Sequence, residues 1–333
     1  MSRDTPAASI APAPAAETTV QVARPRLAIA PVTDPAEWAS LLTRAPKPYL
    51  PQAFAYGEGK RAEGWTVQRL CFYDNDNIIA FCQVLEMRVG GLRLLSRVNR
   101  GPIFLGDPPC PIQVGNVYRT LRQERGRWHS PLLIAPALEA TTENLGILAS
   151  AGFHQRKGRG WQSMRIDLDR SQEAIRASLA PGFRNRLRAA ERSGLALRIG
   201  NDDATVNWMV ERHEENKREK RFKGAEGAFI RALRAAAVED YLIFQAVLDG
   251  EPVAGMSVVR FGRLAQYHTG WFGPAGRAAN AGNLLMWAIL CEMQRRGCAQ
   301  FDAGGLHDGH GYTQFKRGLR GSEFALAGEW IAF

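Results

Sequence analysis

The residues best placed to do chemistry stand near the end of the chain, in Phe301–Gly321, FDAGGLHDGHGYTQFKRGLRG. Gly304 and Gly305 accept backbone dihedrals that side chains forbid, and they let a ligand or a second strand come close to the main chain. Asp302 can accept hydrogen bonds from the amides of its own loop. Lys316 follows Phe315 after this polar, glycine-rich stretch. An ammonium fixed beside a carbonyl under attack stabilises the developing oxyanion more in the transition state than in the ground state. Taken alone, a strand-exit turn and a surface lysine account for the same residues.

Other groups point to phosphate. Arg184, Arg188 and Arg192 recur every four residues beside Phe183, Leu187 and Ala190, which on a helix makes a basic column flanking a buried stripe. Such a column can contact phosphates of RNA or of a nucleotide-linked molecule, or it can be a solvated face. The stretch 211–223 is a mixed-charge helix that turns basic at its end. Tyr267 lies in a strand whose alternation puts Thr269 on the same face and His268 on the other. His307, Asp308 and His310 lack partners at metal-ligand spacing, so no metal is expected. No Ser-His-Asp arrangement is legible, no cysteine has a partner base, and no residue presents itself as the general base for an amine.

These groups need a scaffold, and 333 residues suit two domains. Hydrophobic content of 45% and charged content of 23% are those of a globular protein. Lys+Arg number 43 against 33 Asp+Glu, a formal +10, which favours a polyanionic partner or simply an arginine-rich surface. Five scattered cysteines without a CxxC pair read as reduced thiols of a cytoplasmic protein. No stretch approaches the roughly 18 apolar residues that span a bilayer, which leaves peripheral membrane contact open.

Residues 1–25, rich in Ala, Pro and Thr, read as a disordered leader. Order begins with a strand near Leu27 and a helix from Pro35, with Asp34 as N-cap. An internal echo follows. Residues 67–105 and 241–273 each read strand, Asn/Asp turn, strand, glycine turn, strand. In the second copy a helix from Asn283 stops at Gly297 and a strand returns at Cys298–Asp302. In the first, Ala137–Ala151 takes the helix, Gly152 stops it, and Trp161–Leu168 returns. The chain thus divides into 26–170 and 171–333, two α+β units of one layout.

This layout resembles the GNAT acyltransferase fold in tandem, and the ordered chain resembles the Fem-type (FemABX) aminoacyltransferases. Six stretches carry the likeness in order. Pro51–Lys60 is similar to the family's Q-x-x-x-W-x-x-x-K helix, with Tyr56 in place of Trp. Asn99–Pro102 is similar to its basic-Gly-Pro turn, Phe183–Gly194 to its basic helix, and Tyr267–Gly270 to its Tyr-x-x-Gly strand. Phe301–Gly305 is similar to its Y/F-D-x-G-G turn, and Phe315-Lys316 to its late F-K.

The resemblance implies two mostly antiparallel sheets flanked by helices, and a non-ribosomal transfer from aminoacyl-tRNA. The acceptor would be an amine of a nucleotide- or lipid-linked muropeptide, or of a small peptide. It implies that Lys316 stabilises the oxyanion and that Lys60 and Arg221 (or Lys223) hold acceptor phosphates. Arg100, Tyr267, Asp302, Gly304, Gly305 and Phe315 would line the substrate site, and Arg184, Arg188 and Arg192 would meet tRNA or phosphate. No cofactor is implied. Trp208–Ala237 is too short for the long helical hairpin of some members. Arg277–Gly282 stands where an acetyl-CoA enzyme has its R-x-x-G-x-G/A pyrophosphate loop, with Asn280 replacing the central glycine. An acyl-CoA-dependent N-acyltransferase and a non-catalytic binding protein on the same fold are the alternative readings.

Overall fold

A computed structural model describes residues 27–126, 130–307, 309 and 311–333; the expected leader, Asp308 and His310 lie outside them. Strand β1 (Ala28–Pro31) leads to α1 (Pro35–Arg44). The Asp34 side chain caps this helix, accepting from the Ala36 amide at 2.9 Å. Helix α2 (Phe54–Ala62) precedes a meander of β2 (Thr66–Asp74), β3 (Asn77–Val89) and β4 (Leu92–Asn99). Then come β5 (Ile103–Phe104), α3 (Pro111–Gly126), β6 (Leu132–Ala135), α4 (Thr142–Ser150) and β7 (His154–Gln155). The connection to the second meander holds β8 (Gln162–Asp167), α5 (Gln172–Ser178), α6 (Pro181–Glu191), β9 (Ala196–Gly200), α7 (Asp203–Lys220) and α8 (Gly227–Ala235). That meander is β10 (Tyr241–Leu248), β11 (Glu251–Phe261) and β12 (Leu264–Phe272). After it follow α9 (Pro274–Ala278), α10 (Ala281–Arg295), β13 (Gln300–Asp302), α11 (Gly311–Arg317), β14 (Ser322–Ala325) and β15 (Trp330–Ala332).

The fold is α+β, with two mixed, mostly antiparallel sheets flanked by helices. The repeat is real, but its first copy is not the one the sequence suggests. In each unit a helix joins the third meander strand to a parallel neighbour: α3 between β4 and β6, and α9–α10 between β12 and β13. The first copy's helix is therefore Pro111–Gly126, which buries Val114, Val117, Tyr118 and Leu121 on one face. The helix within 137–151 comes after the returning strand rather than before it.

Trp161–Leu168 needs a second correction. Its strand, β8, pairs antiparallel with β13 and β14 in the second sheet. The first sheet instead takes β15 from the end of the chain, seated between β6 and β7. The exchange brings 160 against 326, where a Cβ on Gly160 would fall 1.9 Å from the Leu326 carbonyl oxygen. Trp330, 4% exposed, belongs to the core of the first sheet with Val98, Ile134 and Phe153. Trp330→Ala should therefore cost about 3–5 kcal/mol in urea unfolding. A loss below about 1 kcal/mol would show that this strand does not close the first core.

Three apolar clusters hold the fold. One lies under α3 and α4, one under α6 and α10, and the middle one mixes residues of both units, such as Trp38 and Phe81 with Ile243 and Phe261. This shared layer sets the two sheets in a fixed relation, with a cavity at its edge. Of the cysteines, Cys71, Cys82 and Cys298 are buried, Cys291 is half-buried and Cys110 is exposed. Among the described residues no helix is long and apolar enough to cross a membrane.

Candidate functional site

Strands β12 and β13 run side by side only from Leu264–Gln266 against Gln300–Asp302. Beyond Asp302 they part, because β13 ends and Gly304 turns with φ +75°. Into the gap opens a cavity of about 340 Å3 with walls from both units, including Tyr56, Arg100, Trp161, Tyr267, Gly305 and Lys316.

The turn is built by Asp302, 1% exposed. One carboxylate oxygen accepts from the Gly304 amide at 2.7 Å and from the Ser163 hydroxyl, while the other has no partner among the described residues. Gly304 needs its positive φ, and a Cβ there would lie 3.2 Å from the Tyr267 carbonyl oxygen. The next carbonyl, of Gly305, accepts from Lys316 Nζ at 2.9 Å. Lys316, only 7% exposed, also lies over the rings of Tyr267 and Tyr312, at 5.0 and 5.1 Å from their centroids. Burial pushes its ammonium down to about 8, partly opposed by the charge of Asp302.

Across the cavity the Arg100 guanidinium stacks on Trp161, 3.6 Å from the ring centroid. Burial lowers its pKa against the charge of Asp302. Arg100, Trp161, Gln266 and His268 line the cavity, and Arg100 Nη1, Trp161 Nε1, Gln266 Oε1 and His268 Nδ1 are buried without a partner among the described residues. Arg100 and Trp161 supply donors to this lining, and Gln266 and His268 supply amide and imidazole groups. Burial, with His213 beside it, pushes His268 down to about 4, so the ring is neutral at pH 7. It is too weak a base to deprotonate a free ammonium. Burial raises the Tyr267 phenol well above its usual value, which leaves it a neutral donor.

Arg100, Tyr267, Gly304, Gly305 and Lys316 thus meet in one cavity, with Asp302 directly behind it. Others do not. Lys60 is held by Glu63 at 2.6 Å and lies over Phe229, outside the lining. Arg221 is the exposed left-handed cap of α7, φ +51°, next to Phe222, which does line the cavity. Lys223 is exposed as well. Phe315 packs away from the cavity, its ring 5.5 Å from that of Phe183. Arg184 is spent internally, donating to the carbonyls of Ala177 and Leu179 at 2.5 and 2.7 Å. Arg188 is exposed on α6 and Arg192 is exposed at its C-cap.

Thr269 does not share the face of Tyr267. A bulge between Met256 and Val258 in the pairing of β11 with β12 shifts the register, and the Thr269 hydroxyl meets Ser257 at 2.7 Å. It therefore lies on the side of His268. Sequence reasoning passed over Trp161, Gln266 and Ser163. They stand on the exchanged strand or mid-strand, where no motif marks them.

The helix that would receive an acyl donor's pyrophosphate is α10. Asn280 precedes it with φ +55°, keeping the left-handed turn that a glycine would give. The rings of Phe272 and Phe315 lie 3.3 and 3.6 Å from where a Cβ on Gly282 would be. Apolar edges thus crowd the first turn of the helix.

The fold is that of tandem GNAT proteins. Residues 178–317 match the family described as acetyltransferase (GNAT) domain, so the chain carries an acyltransferase domain of this type. The tandem arrangement is the FemABX-type fold. FemX superposes with a TM-score of 0.78 at 15% identity, over 90% of this chain and 96% of that one. A tandem GNAT protein from the clavulanic acid biosynthesis pathway gives 0.56 at 14%, over 92% and 98%. L-PGS from Bacillus licheniformis gives 0.56 at 13%, over 90% and 91%. No curated protein matches by sequence.

Proposed function

We propose that this protein is a non-ribosomal aminoacyltransferase that moves an amino acid from aminoacyl-tRNA to an amine of a peptidoglycan precursor or peptide-like acceptor. The observation that carries the reading is a buried lysine, Lys316, fixed in a cavity between two GNAT units beside a hydrogen-bonded DAGG turn. The neutral amine attacks the ester carbonyl, a C–N bond forms, and the negative charge gathers on the carbonyl oxygen, where the Lys316 ammonium stabilises it. The intermediate collapses with the amide formed. The ester C–O bond breaks, and the ribose hydroxyl leaves with the amine's proton. Arg100 and Asp302 hold the acceptor end of the cavity, and Arg188 and Arg192 offer exposed charge to the phosphates of tRNA.

The six motifs and the FemX likeness support aminoacyl-tRNA as donor, and so do the phenylalanine edges at Gly282. Asn280, which preserves the turn of a pyrophosphate loop, favours a second reading, acyl-CoA-dependent N-acyl transfer. A labelled aminoacyl-tRNA pool and labelled acyl-CoA, each offered with muropeptide acceptors, separate the two. Transfer from tRNA and not from CoA is expected. Transfer from CoA alone would establish the second reading, and intact donors in both arms would leave a binding protein.

A further inference from the structure

The meander of the first unit has one part that the reaction does not use. Strand β2 leaves β3 after Thr66 opposite Glu86, and β6 joins β4 only from Ser96 onward. Residues 87–95 therefore project past both neighbours as a two-stranded ribbon closed by Gly90-Gly91. Its side chains are unusual for a solvated tip: Met87, Val89, Leu92 and Leu94 are 42%, 62%, 72% and 49% exposed. Val89 pairs with Leu92 on one face, and a bulge after Met87 adds Leu94 to the strand opposite. Polar residues are the rule at such a turn, and a contiguous apolar tip marks a contact surface.

The other face is basic. Arg88 pairs with Arg93 across the ribbon, and these two with Arg125 of α3 converge on Glu86, at 2.7, 3.5 and 2.5 Å. Glu86 is fully buried, and Arg93 is further tied to Ser130 at 2.9 Å and to the Arg125 carbonyl at 2.7 Å. Even counting the neighbouring Glu124, three guanidinium groups stand against two carboxylates. The cluster thus makes a stiff root of net positive charge, with the Arg88 side chain 39% exposed where the apolar tip begins.

We propose that the ribbon 87–95 docks this protein on an anionic lipid bilayer. The leucine and valine side chains enter the headgroup region, and Arg88 meets lipid phosphates. A second copy fits less well. Four side chains fall short of the roughly 800 Å2 per partner of a stable interface, and a two-fold contact would set Arg88 against its own copy. An apolar leading edge likewise does not suit the phosphates of a nucleic acid. Arg100 follows the far end of β4, on the order of 25 Å from the tip, so docking leaves the cavity free. The inference holds whichever donor the site uses.

Flotation of the full chain tests it, with vesicles of phosphatidylcholine alone and with added phosphatidylglycerol. The wild type should float with the anionic vesicles, less so at high salt, and barely with the neutral ones. Val89→Asp/Leu92→Asp should weaken flotation by about tenfold or more, while leaving transfer to a water-soluble acceptor unchanged. Arg88→Glu should weaken it in the anionic arm only. A wild type that stays unbound at low salt overturns the proposal, as does a double variant that floats as well as the parent. A dimer, or a tRNA complex, that the double variant disrupts without any vesicle binding would assign the ribbon to that partner instead.

Discussion

Lys316→Met is expected to lower turnover about 100- to 1,000-fold while leaving the protein as stable as the parent or more so. The activity loss follows from removing the cation that donates to the Gly305 carbonyl oxygen of the DAGG turn at 2.9 Å. The stability argument comes from its ionisation. Burial lowers the Lys316 pKa from 10.5 to about 8, so folding disfavours the ammonium. That cost is full below pH 8, on the order of 3 kcal/mol. It is relieved as pH rises from about 8 toward 10.5, where the unfolded chain holds the proton and the folded one does not. Methionine removes the charge and keeps much of the packing, but it leaves the Gly305 carbonyl without its donor, which costs about 1–3 kcal/mol. The two effects offset. Single-turnover transfer and urea unfolding at pH 7 check both halves. Near-normal turnover would refute the role of Lys316, and a large drop in stability would make the activity loss uninformative about chemistry.

Much of this was legible in the residues, for physical reasons that also explain the failures. Hairpins announce themselves locally: Asp249 and Gly250 both take positive φ, +51° and +85°, as an Asp-Gly turn between β-rich runs should. The cap at Asp34 and the stop at Gly297, φ +80°, are likewise set by nearest neighbours. Strand exchange is different. Nothing local to Gln162–Asp167 tells which of two similar sheets it will join, because both offer the same pleated apolar face. The site divides along the same line. Lys316, Asp302 and the two glycines lie within one contiguous motif and come together. Lys60 and Arg221 were placed by likeness across a long separation, and a local partner, Glu63, holds the first while a helix end exposes the second. Trp161, which stacks beneath Arg100, was missed because it reaches the cavity only through the exchange.

Asp302→Asn should move the pH dependence of transfer rather than simply abolish it. If the ammonium form of Lys316 does the work, kcat/KM falls as pH rises through about 8, while ionisation of the acceptor amine sets the acid limb. The Asp302 carboxylate is what holds Lys316 up against burial, so neutralising it should shift the alkaline limb to lower pH. Asparagine can still accept from the Gly304 amide and the Ser163 hydroxyl. Its new amide nitrogen takes the position of an oxygen with no partner among the described residues, so the turn keeps its bonds. At neutral pH the variant should lose about tenfold, recovered in part toward pH 6 if the acceptor amine is weakly basic. A profile that keeps its alkaline limb near 8 in the variant would show that another group titrates there. A profile that rises through 8 in the parent would make Lys316 the proton acceptor instead of the oxyanion's partner.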